Sequence, residues 1–417
     1  MTTTLQMLQK SARLKVYEDL EIKRRYNGTY EAAWFSISAY LNATNATKIS
    51  QKLDFESFGY GQFKTGSGTF NVDNSQGKFN DEIDLYSLWN NADSRHYTKI
   101  RYKAGYRDEN SAKIDETVFE GLLNEKTIIP NYNTGDLTFV ALAYESITNE
   151  RTVAESVMTA SMTAKEVIEE IMQDTTITDF ITYSAGNINP GTNITFDNAI
   201  QFEKRKVADV LTDIAKKTNS VWYIDGSQNL IFRSRTVNVV TAFAFTGGSR
   251  QNRNCNILDD GIVQYDPGYS RIINQVKYTS GAVTYVRSAA ADNLARYGTN
   301  ELPLSGEDIT SSATISALSD DIIGDNFLPL VTVVVRTYYM PNVIEFLDPA
   351  TIDFRPKLAS RLNISLLIFN SRTYFNNGYF FQKYINRLIL TTDYSYKYYG
   401  FEHDVVAGYT DHFLVRQ

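Results

Sequence analysis

His403 and His412 most invite a chemical reading, because each adjoins a carboxylate, Asp404 and Asp411. A carboxylate beside an imidazole can orient it for proton transfer or metal ligation. No cysteine lies near them and no His-x-x-x-His spacing occurs, so surface or strand-tip residues are the favoured reading. His96, in NNADSRHYTK, reads as a loop residue. Cys255, in QNRNCNILDD, lacks the His or Asn arrangement that activates a thiolate. It is the single cysteine, so an internal disulfide is excluded, as suits folding in a reducing cytoplasm or an assembly that needs no covalent staple.

Three other features could carry chemistry. In GYGQFKTGSG, Gly61 and Gly66 have the spacing of a phosphate-binding loop, but that loop needs Lys and then Ser or Thr after the second glycine. Ser67 and Gly68 follow instead and Lys64 lies inside, so the stretch reads as a flexible turn. The 48 acidic residues could include a glycosidase pair, yet a sequence cannot place two carboxylates at the roughly 5–9 Å that this chemistry requires. Tyr394–Phe401 (YSYKYYGF) and Tyr374–Phe381 (YFNNGYFF) could stack sugars. Subunit contact is the favoured reading, because Tyr suits sites buried at one end and wet at the other. No catalytic, cofactor-binding or metal-ligating residue is therefore assigned.

Composition points the same way. The chain has 417 residues, enough for two to four domains. Its 28 Tyr and 23 Phe, with abundant Val, Ile and Thr, favour strands. A formal charge of -7 with scattered basic residues argues against a surface built to grip nucleic acid. The opening MTTTLQMLQKSARLKVY does not read as a secretory signal, and no apolar run approaches the length of a membrane span.

The elements that would position these residues are legible in places. In KVADVLTDIAKKTNSVWYIDGSQNLIFRSR, Val207, Val210, Leu211 and Ile214 form an apolar stripe on a helix predicted over 206–217. Two short strand runs, Val221–Ile224 and Leu230–Phe232, follow around the turn 225–229. Thr163 and Glu166 have capping-box spacing for a helix burying Val167, Ile168, Ile171 and Met172. Upstream, Ala33, Phe35, Ile37 and Ala39 alternate as in a half-buried strand. Phe70, Val72 and Phe79 flank a polar connection of hairpin type. The runs TKIRYKAGY, TVFEGLL and GDLTFVALAY read as strands, as do SRIINQVKYTSGAVTYVRS, LPLVTVVVRTYY, RLNISLLIF, QKYINRLILTTDYSYKYYGFEHDV and DHFLVRQ. A further helix is predicted over 312–323.

On those residues the chain resembles a known family. The helix ADVLTDIAKKTN, the aromatic strand VWYID, the turn and NLIFRSR resemble the small α/β domain of phage tail and baseplate hub proteins. The order KIRYKAGY, VFEGLL, GDLTFVALAY is similar to the β-barrel of tail-tube and hub proteins, and RYGTNELPL resembles a hub loop that precedes a helix. The likeness runs loosely from about residue 65 to 330.

The expected fold is α+β, mainly β: two tube-like antiparallel β-barrel domains, N-terminal over 1–150 and C-terminal over 241–417, flanking a small α/β helix–hairpin domain over 151–240. The resemblance implies a structural, non-enzymatic virion protein assembled in the host cytoplasm. It would form a homotrimeric ring in which two similar β lobes per chain present sixfold symmetry to a hexameric tail tube. Its implied partners are the tail tube, distal tail proteins and tail-tip, spike or fibre proteins. DNA would pass through without specific binding, helped by the acidic charge, and no membrane insertion is implied. Because the chain ends at Gln417, wall-degrading or receptor-binding activity is expected from a separate partner. A distal tail or receptor-binding adaptor, or a polysaccharide-active enzyme, are the alternatives.

Overall fold

The computed structural model describes residues 15–42, 47–53, 63–80, 84–93, 95–107, 113–131, 135–153, 157–158, 160–173, 175–202, 204–235, 243–246, 257–266, 268–338, 349–353, 396–404 and 407–416. Cys255, the stretch RLNISLLIF, the aromatic cluster 374–381 and Gly61 lie outside the described residues.

Strands dominate, as the Tyr, Phe and β-branched content requires. In Asp136–Ala143 every second residue, Leu137, Phe139, Ala141 and Ala143, is buried. That alternation places one strand face on a core and the other toward water. Lys99–Arg107, Lys113–Asn131 and Asp136–Ala143 form the expected antiparallel meander. Phe63–Asp73 adds to its one side and Lys15–Lys23 to the other. Within it the Phe70 ring packs 5.6 Å from both Tyr102 and Phe139. Gly121, in the FEG run, sits opposite Ala143, and a Cβ there would stand 2.1 Å from the Leu142 carbonyl oxygen. Only glycine allows that approach.

The strands from the two ends of the chain share this sheet. Its spatial order is Ile257–Asp266, Thr332–Tyr338, Tyr409–Arg416, Tyr396–Asp404, Lys48–Leu53, Phe63–Asp73, Asp136–Ala143, Lys113–Asn131, Lys99–Arg107, Lys15–Lys23 and Phe35–Ser36. Phe243–Thr246 and Pro349–Asp353 pair in parallel, and the latter joins Tyr396–Asp404. Lys48–Leu53 and Tyr396–Asp404 make the junction. A single core accordingly holds Leu20, Phe70 and Phe139 together with Val333, Tyr396 and Leu414. Among the described residues the path runs open, from Ile257–Asp266 to Phe35–Ser36, rather than closing on itself.

The organising helix and hairpin fold nearly as the periodicity dictates. The helix is Val207–Lys217 and the antiparallel hairpin Ser220–Ile224 with Asn229–Ser234. Thr182–Asn189 adds in parallel to the second hairpin strand. A second helix, Ala164–Ile171, begins with the expected capping box: Thr163 accepts from the Glu166 amide and the Glu166 carboxylate accepts from the Thr163 amide. Its Val167, Ile168 and Ile171 meet Val210, Leu211, Ile214, Trp222 and Phe232 in a second core. That core also takes in Val276 and Tyr278 from the three-stranded sheet 275–280, 283–288 and 301–305, and Ile315, Leu318 and Ile322 from helix Ser312–Asn326. It thus extends well beyond residue 240, because the apolar stripe of the 312–326 helix finds its cover there.

Four local expectations are corrected. The strand expected around 33–39 is only Phe35–Ser36 followed by a 3-10 turn, with Phe35 exposed and Ile37 buried. Ser36 and Ser38 hydroxyls bond Asp19, and Ser38 Oγ accepts from the Leu20 amide at 2.7 Å, so side chains supplement a ladder that is only two residues long. The glycine-rich stretch becomes strand from Phe63, with Gly68 lying under the ring of Phe70. Phe70 and Phe79 do not flank a hairpin: the strand holding Phe70 pairs with Asp136–Ala143, and Phe79 is buried against Trp89 and Tyr40 without being in a strand. RYGTNELPL contains a strand, Glu301–Ser305, parallel to Gln275–Ser280.

Candidate functional site

The two histidines that looked chemical are core residues. His403 and His412 lie on adjacent strands and are buried, not at a surface or tip. His403 Nδ1 bonds the Thr410 hydroxyl at 2.7 Å, while His412 Nε2 and Nδ1 bond the Thr337 and Tyr398 hydroxyls at 3.0 and 3.2 Å. The rings also pack on Phe401 and Phe245, at 4.4 and 4.9 Å between centroids. Burial drives His412 down to about 3, and burial with the neighbouring His412 holds His403 well below the usual imidazole range. Both are neutral near pH 7. Neither pairs with the adjacent aspartate: Asp411 forms a two-pronged pair with Arg336, both contacts 2.7 Å, and Asp404 accepts from the Ala407 amide.

The aromatic run before them is also interior. Tyr396, Tyr398, Tyr399 and Phe401 are buried in the shared core, which replaces the expected subunit-contact role with a packing one. Strand alternation fails to separate them because a bulge between Tyr398 and Gly400 shifts the register. His96 bonds Glu150 at 2.9 Å from a 3-10 turn. Among the described residues no group of three or more His, Cys, Asp or Glu could hold a metal ion.

What the fold does concentrate is a polar joint where the helix–hairpin unit meets the sheet. Gln228, at the hairpin turn, is gripped from both sides: Lys99 Nζ donates to its Oε1 at 3.0 Å and its Nε2 donates to Glu120 Oε1 at 2.8 Å. The Tyr144 hydroxyl donates to the same Glu120 oxygen at 2.9 Å. The Lys99 ammonium stands 4.5 Å from the Tyr30 ring and 5.5 Å from that of Tyr144, a cation–π cradle. Burial lowers Lys99 and raises Glu120. Beside them the Ile224 amide donates to Glu145 Oε1 at 3.2 Å, and full burial lifts Glu145 to about 8. Glu145 is therefore a neutral acid wedged between the sheet and the hairpin.

A second fastening ties the same unit to helix Ser312–Asn326. Lys217 and Asp308 form a buried ion pair, with Asp213 3.5 Å from the ammonium. Asn219 donates to Asp325 at 2.9 Å and Thr192 to Asp321 at 2.8 Å. Asp197 accepts from the Thr310 and Ser311 amides just ahead of that helix, which holds its carboxyl below the usual range. These groups bond one another and so fix the orientation of the unit, with Asp308 Oδ1 and Asn219 Oδ1 buried beside them without a hydrogen-bond partner. Sequence reading missed the joint because its members come from five separate stretches. The available signal was Glu145, a lone acid in the apolar run ALAYESI.

No protein-family model matches the sequence, and comparison with curated proteins finds no match. Solved structures do match in shape along nearly the whole chain. A tail protein from Neisseria meningitidis MC58 superposes with a TM-score of 0.53 at 9% identity, covering 96% of this chain and 96% of that one. The 43 kDa tail protein of prophage MuSo2 from Shewanella oneidensis superposes at 0.50 and 10% identity, covering 95% and 97%. At such identities the fold is what is shared, and this chain has the fold of those tail proteins.

Proposed function

We propose that this chain is a structural hub of a phage tail or related injection machine: a homotrimeric ring in the baseplate that joins a hexameric tail tube to the tip. The observation that carries this reading is the end-to-end likeness in fold to two tail proteins of about the same length. The sheet that unites strands from both ends of the chain supports it, since a ring subunit must transmit load without a loose hinge between lobes. So do the two fastenings of the helix–hairpin unit, which make the chain mechanically continuous. Two tube-like β lobes per chain would let three copies meet a sixfold tube. The acidic net charge suits a channel wall that does not hold passing DNA. Distal tail, spike or fibre proteins are the neighbours this role requires.

Structure, not catalysis, is the assigned role. The half-buried Glu120, the buried Glu145 and the buried histidines are engaged in packing and internal hydrogen bonds. The test is imaging of the purified chain mixed with tail tubes of its own particle. Rings of three copies seated on tube ends are expected; six-copy rings would transfer the reading to a distal adaptor, and no tube binding would remove it.

A further inference from the structure

Three polar side chains from three elements meet at the second fastening, and their hydrogen bonds do not close among themselves. Lys217 ends helix Val207–Lys217, Tyr278 lies on strand Gln275–Ser280, and Asp308 precedes helix Ser312–Asn326. All are buried, Tyr278 fully and the other two at 8% exposure. Lys217 Nζ donates to Asp308 Oδ2, while Asp308 Oδ1 and the Tyr278 hydroxyl are buried without a hydrogen-bond partner. Burial, with Asp308 and Asp213 nearby, raises Tyr278, so it remains a phenol with a proton to donate. An orphaned acceptor and an orphaned donor in one interior are costly unless something joins them.

Gly306 marks where they converge. Its N–H donates to the Thr279 carbonyl at 3.0 Å, which holds it beside Tyr278. A Cβ there would stand 2.1 Å from Asp308 Oδ1 and 3.1 Å from both Lys217 Nζ and the Tyr278 hydroxyl. Glycine thus keeps a side chain out of the place that the three atoms surround. Atoms this close to one point, yet not bonded to each other, are at a separation that a single oxygen spans, since two hydrogen bonds of roughly 2.8 Å reach across about 5 Å. The ammonium and the phenol donate into that place and Asp308 Oδ1 accepts from it, so its occupant must accept twice and donate once. The ammonium repels a metal cation, and the carboxylates of Asp308 and of Asp213, 3.5 Å from Nζ, repel an anion. Water is the neutral molecule of one-oxygen size with both capacities, and about three partners is the usual number for a buried one.

We propose that Lys217 Nζ, the Tyr278 hydroxyl and Asp308 Oδ1 form a binding site for one structural water molecule, which ties strand Gln275–Ser280 into the fastening between the helix–hairpin unit and helix Ser312–Asn326. The site belongs to a single copy and is independent of the ring. Tyr278→Phe tests it by the sign of its effect, in urea unfolding of the full chain near pH 7. A bridged phenol loses a hydrogen bond, so the substitution lowers the folding equilibrium constant roughly three- to tenfold. An orphaned phenol is relieved by the same change, so an unchanged or raised constant overturns the site. A high-resolution crystal structure of the parent chain gives a second readout: one solvent oxygen within roughly 3.2 Å of all three atoms is expected. Direct contact between the Tyr278 hydroxyl and Asp308 Oδ1, or an atom at metal-coordination distance from the carboxylate, overturns it.

Discussion

Gly400 lies opposite Lys52 in the ladder that joins the two ends of the chain, with φ +150° and the Gln51 carbonyl oxygen 2.5 Å from where a Cβ would stand. The register of Tyr396–Asp404 slips at this point, and no side chain fits between the strands. Gly400→Ala should destabilise the protein by about 1–3 kcal/mol from backbone strain alone, read as a lower denaturant midpoint. Gly324, in helix Ser312–Asn326, has open space around its Cα. Gly324→Ala should instead stabilise by roughly 0.5–1 kcal/mol.

The buried histidines set an acid limit. Their folded pKa values lie below the ordinary 6.5, so the unfolded chain binds protons first. Stability should be fully present above pH 6.5 and fall as pH drops toward about 3, by up to roughly 1.4 kcal/mol per pH unit for each histidine. His412→Gln should flatten that decline in an unfolding series taken from pH 7 to pH 4.

Glu145 acts in the opposite direction. Its folded pKa is raised from 4.5 to about 8, so its contribution is fully present below pH 4.5 and is lost as pH rises to about 8. Glu145→Gln copies the neutral acid. It should leave stability at pH 4.5 nearly unchanged and raise it at pH 9 by on the order of 2–4 kcal/mol.

Gln228 holds Lys99 and Glu120 at once, and it does so from a backbone φ of +67°. Gln228→Ala should cost about 1–3 kcal/mol, because partly buried Lys99 loses its acceptor and Glu120 keeps only the Tyr144 hydroxyl of its two donors. Faster amide exchange in Ser220–Ile224 would mark loosening at the joint; unchanged exchange would show that the clamp is dispensable.

The Lys217–Asp308 pair is buried on both sides. Lys217→Met alone should cost roughly 3–5 kcal/mol by stranding the carboxylate, and adding Asp308→Leu should recover most of it. A double substitution as damaging as the single would mean that the pair is needed for shape rather than charge balance.

What the sequence revealed follows from how local each signal is. Helix Val207–Lys217 and the Thr163–Glu166 capping box are written in spacings of three and four residues, so they were legible. The meander from Lys99 to Ala143 was legible for the same reason, strand alternation broken by short turns. The ladder between Lys48–Leu53 and Tyr396–Asp404 joins opposite ends of the chain, and no periodicity encodes that partner. His403 and His412 misled because a polar residue beside an aspartate looks exposed; threonine and tyrosine hydroxyls from neighbouring strands satisfy them in the core. The joint at Gln228 and Glu145 exists only once the hairpin is laid on the sheet.

The ring is the claim on which the functional account stands, and native mass spectrometry of the full chain, titrated into the tens of micromolar range, tests it most directly. Three copies of a 47.3 kDa chain, about 142 kDa in all, is the expected species. A chain that stays at 47.3 kDa throughout, or that assembles only in even numbers of copies, would contradict it.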